Sequence, residues 1–306
     1  MEQLLRSSDP ESLFQPIKSD AFLPEDYEDV QTYSKFVDSR TRYKVTQRRH
    51  TLHVYRIGKM SARYQRLSTR LVQFLRAFFV LPVVEKGELV TEPHKKSRKD
   101  EYIVRPTDSK DGYYVKSQTK KRSRKTNLKA EGKNGKDVIE LDAGDILGVL
   151  IHYIESDTYT IVGITSHNIY NPKYKDDIIM GLGCGSRSCV ISIPECFDAT
   201  IKDQTKADKN ALFEMIKTAS HEISHTMGID HCVEYNCIMN SLYVKESDTK
   251  PLYFCPVCAY KLQTAVGFEC EDRWKKLKKY YTMTGLLGAA KWVDKRLKQW
   301  AIDTNK

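Results

Sequence analysis

His221-Glu222-Ile223-Ser224-His225-Thr226-Met227-Gly228-Ile229-Asp230-His231 sets three histidines, a glutamate and a glycine in the order H-E-x-x-H-x-x-G-x-x-H. Average residue usage gives these five placements a frequency on the order of 10⁻⁸ per position, so an ordinary core helix accounts for them poorly. Residues four apart share a helix face, so His221 and His225 can reach one metal ion. Gly228 can take the left-handed conformation that ends helices, and the turn it permits would return His231 as a third ligand. Three protein ligands leave a fourth coordination position for water, the arrangement of a catalytic zinc site. Glu222 follows the first ligand and is placed to take a proton from such a water and hand it to a leaving amine. The chemistry expected is hydrolysis. Upstream, Leu212, Met215, Ile216, Ala219, Ile223 and Met227 recur at helical spacing, and Thr205 with Asp208 reads as a capping-box start.

Eight cysteines follow a second pattern. Cys232 and Cys237 are separated by four residues, and Cys255-Pro256-Val257-Cys258 is a C-x-x-C. Two such knuckles predict a closed four-thiolate structural zinc site, with Zn–S near ~2.3 Å. Disulfides are the rival. No signal-peptide pattern is read at the start, so a reducing compartment is expected, where disulfides are unusual. His231 and Cys232 are adjacent, so one should face each metal, and the cysteine site should lock the turn that delivers the third histidine. Cys184, Cys189, Cys196 and Cys270 are read as free thiols. The cofactor expectation is two Zn2+, one catalytic and one structural.

The run from His221 through Cys232, with Cys237-Ile238-Met239 and Cys255-x-x-Cys258, resembles the archaemetzincins, and their eukaryotic members in particular. Phe254–Cys258, Leu262–Phe268, Asp142–Leu147, Ile161–Thr165 and, near the start, Ser12–Ile17 look similar too. The likeness covers residues 139–282 well and most of 1–85 weakly. It implies a metzincin-like α/β (α+β) fold: a twisted mixed sheet, an active-site helix along a cleft, and a zinc-stapled C-terminal helical part. It implies that Met239 is the Met-turn residue beneath the catalytic metal. The activity implied is a zinc metallopeptidase, aminopeptidase-like, on short peptides. By family analogy, a strand near Ile178–Gly181 would pair with substrate. Two positions depart from the family. Ser224 stands where many relatives have glycine and would place a hydroxyl beside Glu222. Ser241 stands where many metzincins have tyrosine, with Tyr243 nearby.

The chain has 306 residues, 40% of them hydrophobic, and no apolar run approaching the ~20 residues that span a membrane. Expected elements are a strand at Thr51–Ile57, a helix at Ser61–Phe79, a short strand at Val80–Val84, a helix at Ala143–Ile154, a buried strand at Thr158–Thr165 and further strands in Asp177–Ile193. Gly181, Gly183 and Gly185 would mark bends or a bulge there. Helices are expected at Cys258–Phe268, Glu271–Tyr281 and Lys291–Trp300. The layout reads as an N-terminal extension over 1–48, a catalytic domain over 49–85 and 139–306, and a basic, mobile insertion over 86–138. Much of the net charge of +10 lies in that insertion: Lys95, Lys96, Arg98 and Lys99, then Lys120, Lys121, Arg122, Arg124 and Lys125, then Lys129, Lys133 and Lys136. With so few apolar residues it is expected to bury no core. A solvated loop, a nuclear-import patch at Lys120–Lys125 and contact with nucleic acid or an acidic partner compete as its reading. The expected whole is a monomeric cytoplasmic, or else nuclear, peptidase acting on peptides and not on membranes. Its competitor is a zinc-scaffolded binding protein that uses the basic insertion.

Overall fold

Runs of β-branched and aromatic residues flanked by polar ones form the centre of the sheet. β1 (Thr51–Ile57) and β6 (Thr158–Thr165) pair in parallel, and all eight residues of β6 are buried, as a strand covered on both faces requires. The computed structural model describes residues 30–39, 44–94, 100–123, 135–174, 178–185, 187–241 and 251–304. Of the sequence readings, Ser12–Ile17, Lys95, Lys96, Arg98, Lys99, Arg124, Lys125, Lys129, Lys133 and Tyr243 lie outside the described residues.

The remaining strands are β2 (Val83–Pro93), β3 (Glu101–Pro106), β4 (Tyr113–Ser123), β5 (Gly135–Asp142), β7 (Asn168–Tyr170), β8 (Gly181–Cys184) and β9 (Ser188–Ser192). They form one mixed sheet in the order β7-β5-β4-β3-β2-β1-β6-β9-β8. β1 is parallel to β2 and β6 is parallel to β9, whereas β2 through β5 form an antiparallel meander and β8 closes the far edge antiparallel to β9.

The helices are α1 (Tyr33–Asp38), α2 (Ala62–Phe79), α3 (Ala143–Ile151), α4 (Gln204–Thr226), α5 (Pro256–Val266), α6 (Cys270–Met283) and α7 (Leu287–Thr304). α3 begins where Asp142 Oδ1 accepts from the amides of Gly144 at 2.8 Å and Asp145 at 3.3 Å. Its Ile146, Leu147 and Leu150 pack with Ile57, Ile161 and Val190 as the core on one side of the sheet.

The stretch expected to bury no core is corrected here. Among its described residues, 86–138 contributes most of β2, all of β3 and β4, and the start of β5, and it sends Leu89, Val104 and Val115 into that same core. Its lysines mislead because an antiparallel sheet needs only alternate positions apolar. One basic residue is also compensated: Lys120 Nζ lies 3.8 Å from the buried Glu140 carboxylate, which takes a bond from Gln118 Nε2 at 2.8 Å.

The chain divides into two compact units. One, Thr46–Gln73 with Pro82–Ile223, holds the whole sheet and α3. The other, Met1–Val45 with Phe74–Leu81 and Ser224–Lys306, holds α1, α5, α6 and α7. Within it, Trp274 meets Trp300 edge-on at 5.2 Å, and Arg273 Nε donates to Phe78 O at 2.6 Å. Part of the N-terminal segment is packed there: Phe36 is fully buried and Tyr33 stacks on Tyr260 with centroids 4.4 Å apart. No helix among the described residues is long and apolar enough to cross a membrane.

Candidate metal centre

α4 is capped by Asp203, whose Oδ1 accepts from Lys206 N at 2.7 Å; the capping pair expected at Thr205 and Asp208 is not used, and Asp208 pairs with Arg63 instead. The apolar stripe Leu212, Met215, Ile216, Ala219 and Ile223 is fully buried, which leaves His221, Glu222 and His225 half-buried on the rest of the helix surface.

The end of α4 follows from one residue. Gly228 sits at φ +75°, Ile229 N donates to Ser224 O at 3.1 Å and Gly228 N to His225 O at 3.0 Å. That pair of bonds is a Schellman motif, which requires a left-handed residue at this position. Just beyond it, His225 Nδ1 lies 2.9 Å from Ile229 O. A carbonyl only accepts, so Nδ1 carries the hydrogen and Nε2 is left with its lone pair for a metal. His231 then stands edge-on to His225, ring centroids 4.8 Å apart. The ligand atoms of His221, His225 and His231, all from this one continuous stretch of chain, lie within 4.8 Å of one another.

Glu222 packs under the edge strand. A Cβ on Gly181 would lie 3.0 Å from Glu222 Cγ, and one on Gly183 would lie 2.3 Å from Glu222 O. β8 can therefore approach α4 only because both residues are glycine. The expected strand at Ile178–Gly181 runs instead over Gly181–Cys184, and Gly181 and Gly183 mark this contact rather than a bulge. Ser224 is fully buried and lies two residues, roughly 200° of helix turn, from Glu222. That offset puts the two residues on different faces of α4.

Cys232, Cys237, Cys255 and Cys258 form the second group, with their sulfurs all within 4.8 Å of one another. Cys232 Sγ and Cys255 Sγ are 3.7 Å apart. A tetrahedron with Zn–S of ~2.3 Å has edges of about 3.8 Å, whereas a disulfide would close the gap to about 2.05 Å. Backbone amides point at the sulfurs: Cys255 N and Met239 N at Cys237 Sγ (3.2 and 3.4 Å), and Cys258 N at Cys255 Sγ (3.4 Å). Hydrogen bonds from the neighbouring thiols, Cys237 first, hold Cys232 well below the usual thiol range, while burial pushes Cys237 up. Four buried sulfurs can thus share little negative charge by themselves, and a divalent cation would supply what full ionisation needs. The donor sets of both groups fit zinc.

Met239 is fully buried, and its carbonyl accepts from Cys232 N at 2.8 Å. Asn240 escaped the sequence reading. It is buried, and its Nδ2 donates to Cys232 O at 2.7 Å and Tyr235 O at 2.9 Å while its Oδ1 accepts from Cys237 N at 2.8 Å. One amide thereby folds the loop that carries two sulfurs. A polar residue directly after an apolar pair was the only signal available. Cys189, Cys196 and Cys270 are buried and Cys184 is exposed, all as thiols. Burial pushes Cys189 and Cys196 well above the ordinary thiol range.

Residues 137–264 match the model of peptidase family M54. Human Archaemetzincin-2 is 30% identical over 165 residues, 45% of this chain and 46% of its own length. The archaemetzincin of Methanopyrus kandleri is 31% identical over 106 residues, 34% of this chain and 55% of its own. The crystal structure of the Methanopyrus kandleri protein superposes with a TM-score of 0.45 at 18% identity, covering 72% of this chain and 97% of that one. The matched region thus spans about half the length of these curated relatives.

Proposed function

We propose that this chain, whose residues 137–264 match peptidase family M54, is an archaemetzincin and a zinc metallopeptidase of the metzincin type that hydrolyses peptide bonds. The observation that carries this is the convergence of the His221, His225 and His231 ligand atoms at the end of one helix, with Glu222 directly after the first of them. Zinc held by the three imidazoles would bind a water, bring its pKa toward about 7 and polarise the substrate carbonyl. Glu222 takes the proton as the water attacks and delivers it to the departing amine, so one carboxylate serves as base and then as acid. His225 holds its Nε2 outward through the bond from Nδ1 to Ile229 O. Cys232, Cys237, Cys255 and Cys258 would hold a second, structural zinc, and Met239 would form the apolar floor of the Met-turn.

Among the described residues, β8 is the last strand of the sheet. An extended peptide can add along its outer edge by backbone hydrogen bonds. Backbone recognition suits short or unfolded peptides of varied sequence, and an aminopeptidase-like preference follows the family likeness. Glu222→Gln should retain zinc at the parent stoichiometry yet lose at least ~100-fold in kcat, read by cleavage of an unblocked peptide library with product mapping. Parent-level cleavage by that variant would end the proposal, and the product ends tell trimming from internal cutting.

A further inference from the structure

We infer that Gln31 is a positioning residue for the histidine centre: its side-chain amide grips the backbone of the turn between His225 and His231, and Lys261 holds that amide in place. Gln31 Nε2 donates to Gly228 O at 3.0 Å, and Gln31 Oε1 accepts from Asp230 N at 3.1 Å. A planar amide making one bond as donor and one as acceptor fixes both the distance and the tilt of the segment it reads. Lys261 Nζ donates to the same Oε1 at 3.0 Å and to the Gln31 main-chain oxygen. An ammonium has no acceptor, so the atom facing it must be the amide oxygen, and the NH2 group is thereby turned toward Gly228 O. Gln31 is 9% exposed and Lys261 3%, so water does not substitute for these bonds.

The amide acts on a short segment. On its N-terminal side the chain is fixed by the Schellman bonds and by His225 on Ile229 O; on its C-terminal side Cys232 N is fixed to Met239 O. Between these anchors lie Asp230 and His231, and Gln31 supplies a main-chain bond at Asp230. Lys261 lies on α5, three residues after Cys258, so the amide also ties the third histidine to the helix that carries Cys258 and is capped by Cys255. Gln31 precedes Thr32, the N-cap of α1, and the neighbouring Tyr33 docks independently on Tyr260 and on Thr264 Oγ1 at 3.1 Å.

The inference rests on the metal reading above. The test uses the full chain, with zinc affinity measured by chelator competition and cobalt substitution separating imidazole-bound from thiolate-bound metal by their spectra. Gln31→Leu should weaken the imidazole-bound metal by ~10–100-fold and leave the thiolate-bound metal unchanged. Tyr33→Ala, which loosens the same segment without touching the turn, should leave both affinities at the parent value. Unchanged imidazole-site affinity in Gln31→Leu overturns the inference, and so does an equal loss in Tyr33→Ala, which would reduce Gln31 to a docking contact. Should Gln31→Leu fail to fold, Lys261→Met takes its place: selective weakening of the imidazole site supports the inference, and parent affinity overturns it. A parent chain whose histidines bind no metal is a different result, because it removes the metallopeptidase reading itself.

Discussion

His167 shows how burial alone makes one residue pH-sensitive. Its Nε2 lies 2.7 Å from Thr91 Oγ1, and desolvation by burial lowers its pKa from 6.5. The unfolded chain takes up a proton at 6.5 that the folded chain refuses until a lower pH. Stability from this group is therefore full above pH 6.5 and declines as pH falls from there toward the folded value. Melting curves between pH 8 and pH 5 should show His167→Asn losing part of the parent's acid slope, at most about 1.4 kcal/mol per pH unit; identical slopes would refute it. Gly228 works at the same scale by a different means. Its left-handed backbone ends α4 and turns the chain toward His231, and an L side chain there would cost about 1–2 kcal/mol.

Among the elements, β8 and α4 are matched through what two residues lack. The Cβ that Gly183→Ala adds would meet the α4 backbone at Glu222 O, which cannot rotate away, so strand and helix must separate. The expected result is a stability loss of about 1–3 kcal/mol together with a fall in kcat/KM of tenfold or more. Gly185→Ala, with nothing within 4 Å of the new Cβ, is the control and should behave as the parent. Equal kinetics for the two variants would show that β8 plays no part in the activity. Element legibility follows how each is buried. Thr51–Ile57 and Thr158–Thr165 emerge with the bounds read from the sequence, because β-branched and aromatic residues dominate both runs. β3 and β4 were missed because one of their faces is wet and charged, and a lysine-rich strand such as Tyr113–Ser123 looks like a loop when its partners are unknown. α5 starts at Pro256, ahead of the expected Cys258, because Cys255 is its N-cap as well as a sulfur of the cysteine group.

At the scale of the whole molecule, the cysteine loop and the last histidine belong to one hydrogen-bonded assembly: Cys232 to Met239, Asn240 across to Cys232 and Cys237, and Ile238 to Tyr253 at 3.0 Å. Cys258→Ser should lower the zinc bound per chain, lower the thermal midpoint by roughly 10 °C or more, and reduce peptide cleavage although no histidine is touched. Metal analysis beside a thermal melt checks this, and a variant that melts and cleaves like the parent would dissolve the link between the two groups. The sequence by itself determined whatever depends on spacing along the chain. The 221–231 stretch shares a helix face and a glycine turn, the cysteines come in knuckles, and the central strands are rich in β-branched and aromatic residues. Only the tertiary structure decided that Gln31 and Lys261, 230 positions apart, meet at the turn before His231, that Asn240 folds the cysteine loop, and that Gly181 and Gly183 are bare because α4 passes beneath them. Periodicity is local and can be read from a single chain, but a hydrogen bond or close approach between distant residues leaves no periodic trace in either partner.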